Sequence, residues 1–371
     1  MITYENFPHY KLKGTINSKY IFFYRDPWKK EIFKRFSNVF DENQVQLQDL
    51  ENVHPIKNNS VKCFWGIQDC IDLDLSEEEV IIIEDGFLRS AGLGADLIMP
   101  KSLCFDRGSS HFNWKKPTDL EDMLRDYHVS SNELILSSKL LEKIISNNLT
   151  KYGCVKPLQS RSIEIDILIV GQNQTDAALE FGSDEINSNL KLCKKVRQLN
   201  PNRKISFLDH PDNYLRKNLS GQECSIYVDE ILSKDVDCIS AINASTEVHV
   251  ITSLLGFEAI LREKIVFVYG FPFYWGWGLT NDFFENIVLS KRRGKKLDLK
   301  EILWIAYGIY PKYINNLGKQ TDVFEIADEI ILESKDSKLI KIKFLKILRY
   351  GKIIISNYLK KFKKLCNFQK S

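Results

Sequence analysis

Short apolar runs alternate with longer amphipathic stretches along most of this chain. Tyr20-Ile21-Phe22-Phe23-Tyr24, Val61-Lys62-Cys63-Phe64-Trp65 and Val80-Ile81-Ile82-Ile83 are short, rich in β-branched and aromatic residues, and bounded by polar or turn residues. That pattern predicts buried strands. Pro27 to Phe36, between the first two, reads as a helix. Strand–helix alternation predicts a parallel sheet covered by helices on both faces.

A second alternating set follows a helical stretch from Glu133 to Tyr152 and a linker from Gly153 to Ser162. Ile165 to Val170 reads as a strand that runs into the polar loop Gly171-Gln172-Asn173-Gln174-Thr175-Asp176. Ile186 to Leu199 reads as a helix ending before Pro201. Ile205–Leu208, Ser225–Val228, Glu247–Ile251 and Ile265–Val268 read as further strands. The expected class is α/β, with two Rossmann-like doubly wound domains facing a cleft. The first covers residues 1–155 and the second 156–334, and ligands in such folds sit at the carboxyl ends of strands.

Residues 335–371 form a third piece. Apolar residues interleave with lysines from Leu339 to Leu365, and Gly351 is expected to divide two helices. The segment holds 12 Lys/Arg and one acid, Asp336, so it carries +11; the whole chain is +3, and the remainder is therefore −8. One reading is a basic amphipathic surface that meets anionic lipid heads, at about 1 kcal/mol per nearby Lys or Arg. The other is a helix packed on the body with solvated lysines. Nucleic acid is not an expected partner, because the body is acidic and no recognised binding motif occurs.

Composition narrows the classes further. Of 371 residues, 44% are hydrophobic and 27% charged, which suits a full globular core. Apolar runs are too short to span a bilayer, and the opening MITYENFPHY lacks a basic-then-apolar export pattern, so export is not expected. The 8 cysteines are scattered without Cys-x-x-Cys, and no His-x-x-x-His occurs. No zinc is expected, and the thiols read as reduced and mostly buried.

Four clusters stand at predicted strand ends. Glu84-Asp85-Gly86-Phe87-Leu88-Arg89-Ser90 joins two carboxylates to an arginine; an ordinary turn with a solvated ion pair is the plain alternative. Asp176 is a candidate nucleophile or base, or the N-cap of the next helix. Asp209-His210-Pro211-Asp212 offers a histidine to a phosphate, or a structural histidine. Thr252-Ser253-Leu254-Leu255-Gly256-Phe257-Glu258-Ala259 opens a helix, where hydroxyls and free N–H groups suit an anion, or form a simple capping box. Beyond it, Phe271 to Thr280 packs aromatics beside glycines, either as a wall for a sugar or base or as core. Asp72-Leu73-Asp74 precedes its strand and reads as a solvated acidic loop. Gly92-Leu93-Gly94 lacks the context of a dinucleotide fingerprint.

Together these clusters resemble the capsule polysaccharide biosynthesis proteins of the KpsC/LipA type and the related retaining β-Kdo transferases. The pieces carrying the resemblance are Glu84 to Ser90, Pro100-Lys101-Ser102-Leu103 with Asp106, Gln172 with Asp176, and Phe181-Gly182. They continue with His210-Pro211-Asp212, Thr252-Ser253, Gly256 to Ala259, Tyr274, Trp277 to Thr280, and Arg292-Arg293-Gly294. Their order and spacing fit from about Trp65 to Tyr313; the first 60 residues match poorly. The resemblance implies a GT-B-like fold and a retaining glycosyltransferase that uses a CMP-activated ulosonic acid, usually Kdo, without a metal or other cofactor. It implies Asp176 as nucleophile, Glu84 as general acid/base and His210 near the donor phosphate. Gln172, Thr252, Ser253, Gly256, Phe257 and Glu258 then belong to the donor site. Asp85, Arg89, Ser90, Asp106, Tyr274 and Trp277 are expected around the sugar, with Arg89 on its carboxylate. The acceptor is expected to be a glycolipid or oligosaccharide, with the protein cytoplasmic and peripheral to the inner membrane.

One departure bears on the donor. Leu208 stands where the family usually carries a lysine, which keeps open another CMP-ulosonic acid of pseudaminic or legionaminic type. A non-catalytic glycolipid-binding scaffold is the alternative of another class. Keeping Glu84, Asp176, His210 and Glu258 together argues against it.

Overall fold

The computed structural model describes residues 19–40, 45–50, 60–72, 80–155, 164–210, 220–233 and 235–335. In chain order the strands and helices are β1 (Lys19–Tyr24), α1 (Pro27–Phe36), β2 (Val45–Asp49), β3 (Ser60–Trp65), α2 (Gln68–Asp72), β4 (Val80–Asp85) and β5 (Ser102–Arg107). Next come α3 (Asp119–Asp126), α4 (Ser131–Ser146), β6 (Leu149–Thr150), β7 (Gly153–Cys154), β8 (Ile165–Val170), α5 (Ala177–Gly182), α6 (Asn189–Leu199) and β9 (Ile205–Leu208). The remainder is α7 (Ser220–Cys224), β10 (Glu230–Ile231), α8 (Cys238–Ala244), β11 (Ser245–Val250), α9 (Leu254–Ile260), β12 (Ile265–Val268), β13 (Asn281–Asp282), α10 (Ile287–Arg293) and α11 (Leu299–Leu303). A π-helical turn (Trp304–Ile309), β14 (Lys312–Ile314), β15 (Gln320–Thr321) and α12 (Val323–Lys335) complete the chain.

The described residues fall into two compact units, those within 1–105, 151–154 and 311–335 in one, and those within 106–150 and 155–310 in the other. The sequence reading sets its boundaries after residues 155 and 334.

The first unit is built on a seven-stranded sheet ordered β15-β14-β5-β4-β3-β1-β2. β1 pairs parallel with β2 and β3, and β3 parallel with β4. The inner strands β1 and β4 are nearly continuous apolar runs, as expected where both faces of a parallel sheet are covered. α1 starts where Asp26 accepts a hydrogen bond from the Lys29 N–H at 2.9 Å and Pro27 occupies the first turn. It buries Ile32, Phe33 and Phe36 against Phe22, Cys63 and Ile83. Antiparallel β14 and β15 extend the sheet beyond β5.

The second unit carries a six-stranded sheet ordered β10-β9-β8-β11-β12-β13, with all five neighbouring pairs parallel. Its core joins Ile167, Ile169, Leu192, Val196, Ile205 and Phe207. The strands expected at 165–170, 205–208 and 265–268 form with those bounds. The strand expected at Ser225–Val228 does not form. Tyr227 closes a turn on Cys224 through its N–H and gives its carbonyl to Arg197, and pairing with β9 begins only at Glu230. The tail reading concerns residues 335–371, which beyond Lys335 lie outside the described residues.

Candidate functional site

In the second unit, the carboxyl ends of β8 and β11 are tied together by two side chains named from sequence. Gln172, just past β8, accepts from the Thr252 N–H at 2.8 Å and donates to the Thr252 hydroxyl at 3.0 Å. The Thr252 hydroxyl in turn lies 3.1 Å from the Ala178 carbonyl of α5. Asn189, at the start of α6, accepts from the Gln172 N–H and donates to the Gln172 carbonyl, both at 2.9 Å. All three polar side chains are buried. A buried, fully paired network of this kind fixes the loop that follows β8.

Asp176 ends that loop. It is exposed, and its Oδ1 caps α5 by accepting from the Ala178 N–H at 3.0 Å. The capping alternative is therefore realised. Oδ2 has no hydrogen bond among the described residues and faces no burial cost, so a second role is compatible with the cap.

The other strand-end loop starts α9. The Ser253 hydroxyl accepts from the Leu255 N–H at 3.3 Å, and Tyr274 donates to the Ser253 carbonyl at 2.5 Å. Gly256 lets this happen: a Cβ there would overlap the Tyr274 hydroxyl and lie 2.9 Å from Val250 Cγ2. Phe257 stacks in the interior with Phe273, Tyr274 and Tyr307.

Glu258 is not part of a capping box. It is buried and pairs with Arg262 at 2.9 Å, one turn along and extending beyond α9. Burial pushes its carboxyl up to about 7, against the pull of Arg262. His210, half-buried after β9, has its N–H on Asp209 at 2.8 Å; Pro211 and Asp212 lie outside the described residues.

The aromatic run is interior. Phe271, Phe273, Tyr274, Trp275 and Trp277 are all buried, and the Trp277 indole donates to the Phe273 carbonyl at 2.8 Å. Trp275 lines an open groove of about 480 Å³ together with Gly276, Gly278, Asp282 and Lys296. Arg293 braces the run by donating to the Pro272 carbonyl at 2.9 Å and pairing with Glu121 at 3.2 Å. Asp106 is also buried: it accepts from Tyr310 and, at 2.6 Å, from the Asp119 N–H. Burial and the neighbouring Asp119 push its carboxyl well above the usual range.

In the first unit, Glu84 and Asp85 end β4 and are half-buried. Arg89 is buried, its Nε lies 2.8 Å from Asp85, and its Nη1 donates at 2.8 Å to both the Ser90 hydroxyl and the Ile98 carbonyl. These contacts anchor the guanidinium to its own turn. Ser90 is likewise buried and donates to the Gly92 carbonyl at 2.9 Å.

The structure thus gathers Gln172, Asp176, Thr252, Ser253 and Tyr274 around two strand ends, and Glu84, Asp85, Arg89 and Ser90 around another. Asn189 and Arg262 escaped sequence reading. A polar residue opening a helix marks Asn189, and the i,i+4 spacing to Glu258 marks Arg262. Among the described residues no group of three or more His, Cys, Asp or Glu is arranged to hold a metal. No described helix is long and apolar enough to cross a membrane.

Comparison with known proteins places this architecture. A family model described as "Capsule polysaccharide biosynthesis protein" matches residues 137–313. The "Capsule polysaccharide modification protein LipA" of Neisseria meningitidis serogroup A is 31% identical over 322 residues, covering 83% of this chain and 45% of LipA. The chain therefore spans about half the length of that relative. The "Lipopolysaccharide-processing protein LpsZ" of Rhizobium meliloti is 30% identical over 328 residues, covering 83% of this chain and 73% of LpsZ. Among solved structures, the KpsC β-Kdo 2,7 transferase of Thermosulfurimonas dismutans matches with a TM-score of 0.66 and 29% identity, over 84% of this chain and 99% of its own. The β-Kdo 2,4 transferase of the same KpsC matches with a TM-score of 0.69 and 22% identity, over 85% and 98%, a likeness of fold. The α/β class with two Rossmann-like sheets, GT-B-like as expected, is the class of these structures. Its sheets, its strand-end motifs and these relatives together make the chain a member of the capsule polysaccharide biosynthesis proteins of the KpsC/LipA type.

Proposed function

We propose that this protein transfers Kdo from CMP-β-Kdo to a saccharide or glycolipid acceptor in capsule or lipopolysaccharide assembly, with retention of configuration. The observation that carries the reading is the exposed Asp176 carboxylate, held at a strand end by the Gln172–Thr252–Ala178 network while one of its oxygens stays outside the cap bond. Likeness to the KpsC β-Kdo 2,7 transferase of Thermosulfurimonas dismutans, at 29% identity, supports the sugar class.

In the proposed reaction, Asp176 attacks the anomeric carbon as the bond to the CMP phosphate oxygen breaks, and the electron pair leaves with CMP. Donors near the phosphate, His210 among them, stabilise the departing charge. An acceptor hydroxyl then displaces Asp176 and gives its proton to Glu84, a role that rests on the resemblance. Two inversions retain configuration, the logic of retaining glycosidases. No metal enters the scheme.

Mass spectrometry of the protein with CMP-Kdo and no acceptor tests the reading. A sugar-sized increase localised to Asp176 is expected, and its loss in Asp176→Asn. A normal transfer rate in Asp176→Asn would exclude this nucleophile. Leu208, buried at the end of β9, favours a second reading with another CMP-ulosonic acid, which a panel of CMP-sugars separates. Binding of glycolipid with no transfer from any of them would point instead to a scaffold. We also propose that residues 335–371 hold the protein at an anionic membrane on the cytoplasmic face.

A further inference from the structure

α10 follows β13, the edge strand of the second sheet, and its two sides differ. Asn286 caps it by accepting from the Leu289 N–H at 2.9 Å, and Gly294, at φ +65°, ends it. Leu289 and Arg293, four apart, are buried on the inner side. Arg292 is held as well, by Glu121 at 2.6 Å and the Trp114 carbonyl at 2.7 Å. The outer side carries Ile287, 71% exposed, and Val288, 65% exposed. Lys291 lies one turn on from both, and Lys295 and Lys296 follow the helix end. Among the described residues no hydrogen bond or ion pair engages these three ammonium groups. An open groove of about 590 Å³ lies along this side, lined by Ile287, Ser290, Lys291 and Gly294 with Glu285 and Asn286.

Single exposed aliphatic side chains are ordinary on a protein surface. Here two are adjacent and stand beside a local concentration of charge. Residues 287–296 hold five Lys or Arg and no acid, although residues 1–334 together carry −8. Arg292 and Arg293 are paired with Glu121, so the three lysines are the charge left for a partner, with Glu285 the acid on the groove wall. Such a field attracts an anion. Lysines alone would suit any acidic surface. Aliphatic side chains beside them suit a surface whose charged layer covers an apolar one. The long lysine stems then keep their ammonium groups at the charged layer while the aliphatics go deeper. That is the chemistry of an anionic phospholipid bilayer.

We propose that the outer face of α10 and the turn after it form a membrane contact: Ile287 and Val288 enter the acyl boundary of an anionic bilayer, and Lys291, Lys295 and Lys296 meet its headgroups. The contact is separate from residues 335–371 and requires no sugar transfer, so its failure leaves both of those readings standing. The full chain is co-sedimented with vesicles of phosphatidylcholine containing phosphatidylserine, and each variant is checked for a wild-type melting curve. Lys291→Gln, Lys295→Gln and Lys296→Gln combined are expected to lower the partition coefficient about a hundredfold, from about fivefold, or about 1 kcal/mol, per lysine. Ile287→Ser with Val288→Ser is expected to lower it about tenfold. Ile226→Ser is the matched control: Ile226 is 76% exposed and precedes β10, on the opposite edge of the same sheet, and its loss is expected to change nothing. An unchanged partition coefficient in the folded serine variant overturns the proposal, as it does in the glutamine variant. A loss in the glutamine variant alone assigns the patch to an acidic protein surface instead of a membrane.

Discussion

Arg262→Met is the sharpest physical test of the donor-side unit, because it removes one partner of a buried ion pair. Glu258 is 1% exposed and Arg262 pairs with it at 2.9 Å. In the folded protein the Glu258 carboxyl titrates at about 7, against 4.5 for the free group. Between those values the folded state binds more protons than the unfolded one, so stability falls as pH rises through that window. The loss is about 3 kcal/mol, complete above pH 7. Without Arg262 the carboxyl titrates higher still, and the window of loss extends upward. At pH 5.5 Glu258 is protonated with or without Arg262, so the variant loses only contacts, about 1 kcal/mol. At pH 8.5 an uncompensated buried charge costs about 3 kcal/mol, the low end for a broken buried pair. For a unit of this size each kcal/mol is about 2–4 °C in Tm. Calorimetric scans of wild type and Arg262→Met at both pH values are expected to show a Tm deficit roughly three times larger at pH 8.5. An equal deficit at the two pH values would refute the argument that Glu258 is buried and titrates near neutrality.

Other substitutions separate structure from chemistry at the same strand ends. Asp176→Asn keeps a good cap and is expected to melt with wild type while losing the covalent adduct, whereas Asp176→Ala also costs about 1 kcal/mol in chemical denaturation. Thr252→Val leaves the Gln172 amide without its hydroxyl partner and is expected to cost about 1–3 kcal/mol and to weaken CMP binding by calorimetric titration. Gly256→Ala sets a methyl against the Tyr274 hydroxyl and Val250, and is expected to destabilise by about 1–3 kcal/mol. Deleting residues 335–371 is expected to reduce co-sedimentation with anionic vesicles; unchanged binding would remove the lipid role.

Much of the local structure was legible in the chain. β8, β9 and β12 stand where short β-rich runs predict them, and α1 runs from Pro27 to Phe36 as expected. Such runs report burial on both faces of a parallel sheet, which the sequence encodes directly. β2 and the β14–β15 pair were not legible. β14 carries only three strand residues, and its partner β5 lies more than 200 positions earlier, so nothing local marks the pairing. Ser225–Val228 has strand composition, but its hydrogen bonds go to Cys224 and Arg197 instead of a ladder.

The same division holds at the site. Residue type and spacing nominated Asp176, Thr252, Ser253 and Glu258, because strand-end loops and helix starts have a local signature, and the family resemblance added Gln172. Only the tertiary structure decided which of their polar atoms are already spent. Arg89 is anchored by Asp85, Ser90 and the Ile98 carbonyl, the aromatic run faces inward, Glu258 answers Arg262, and Lys29 meets Trp65. A sequence shows which groups can bond or bury. Which partner each one finds depends on distances between segments remote along the chain, and these exist only once the sheets have formed.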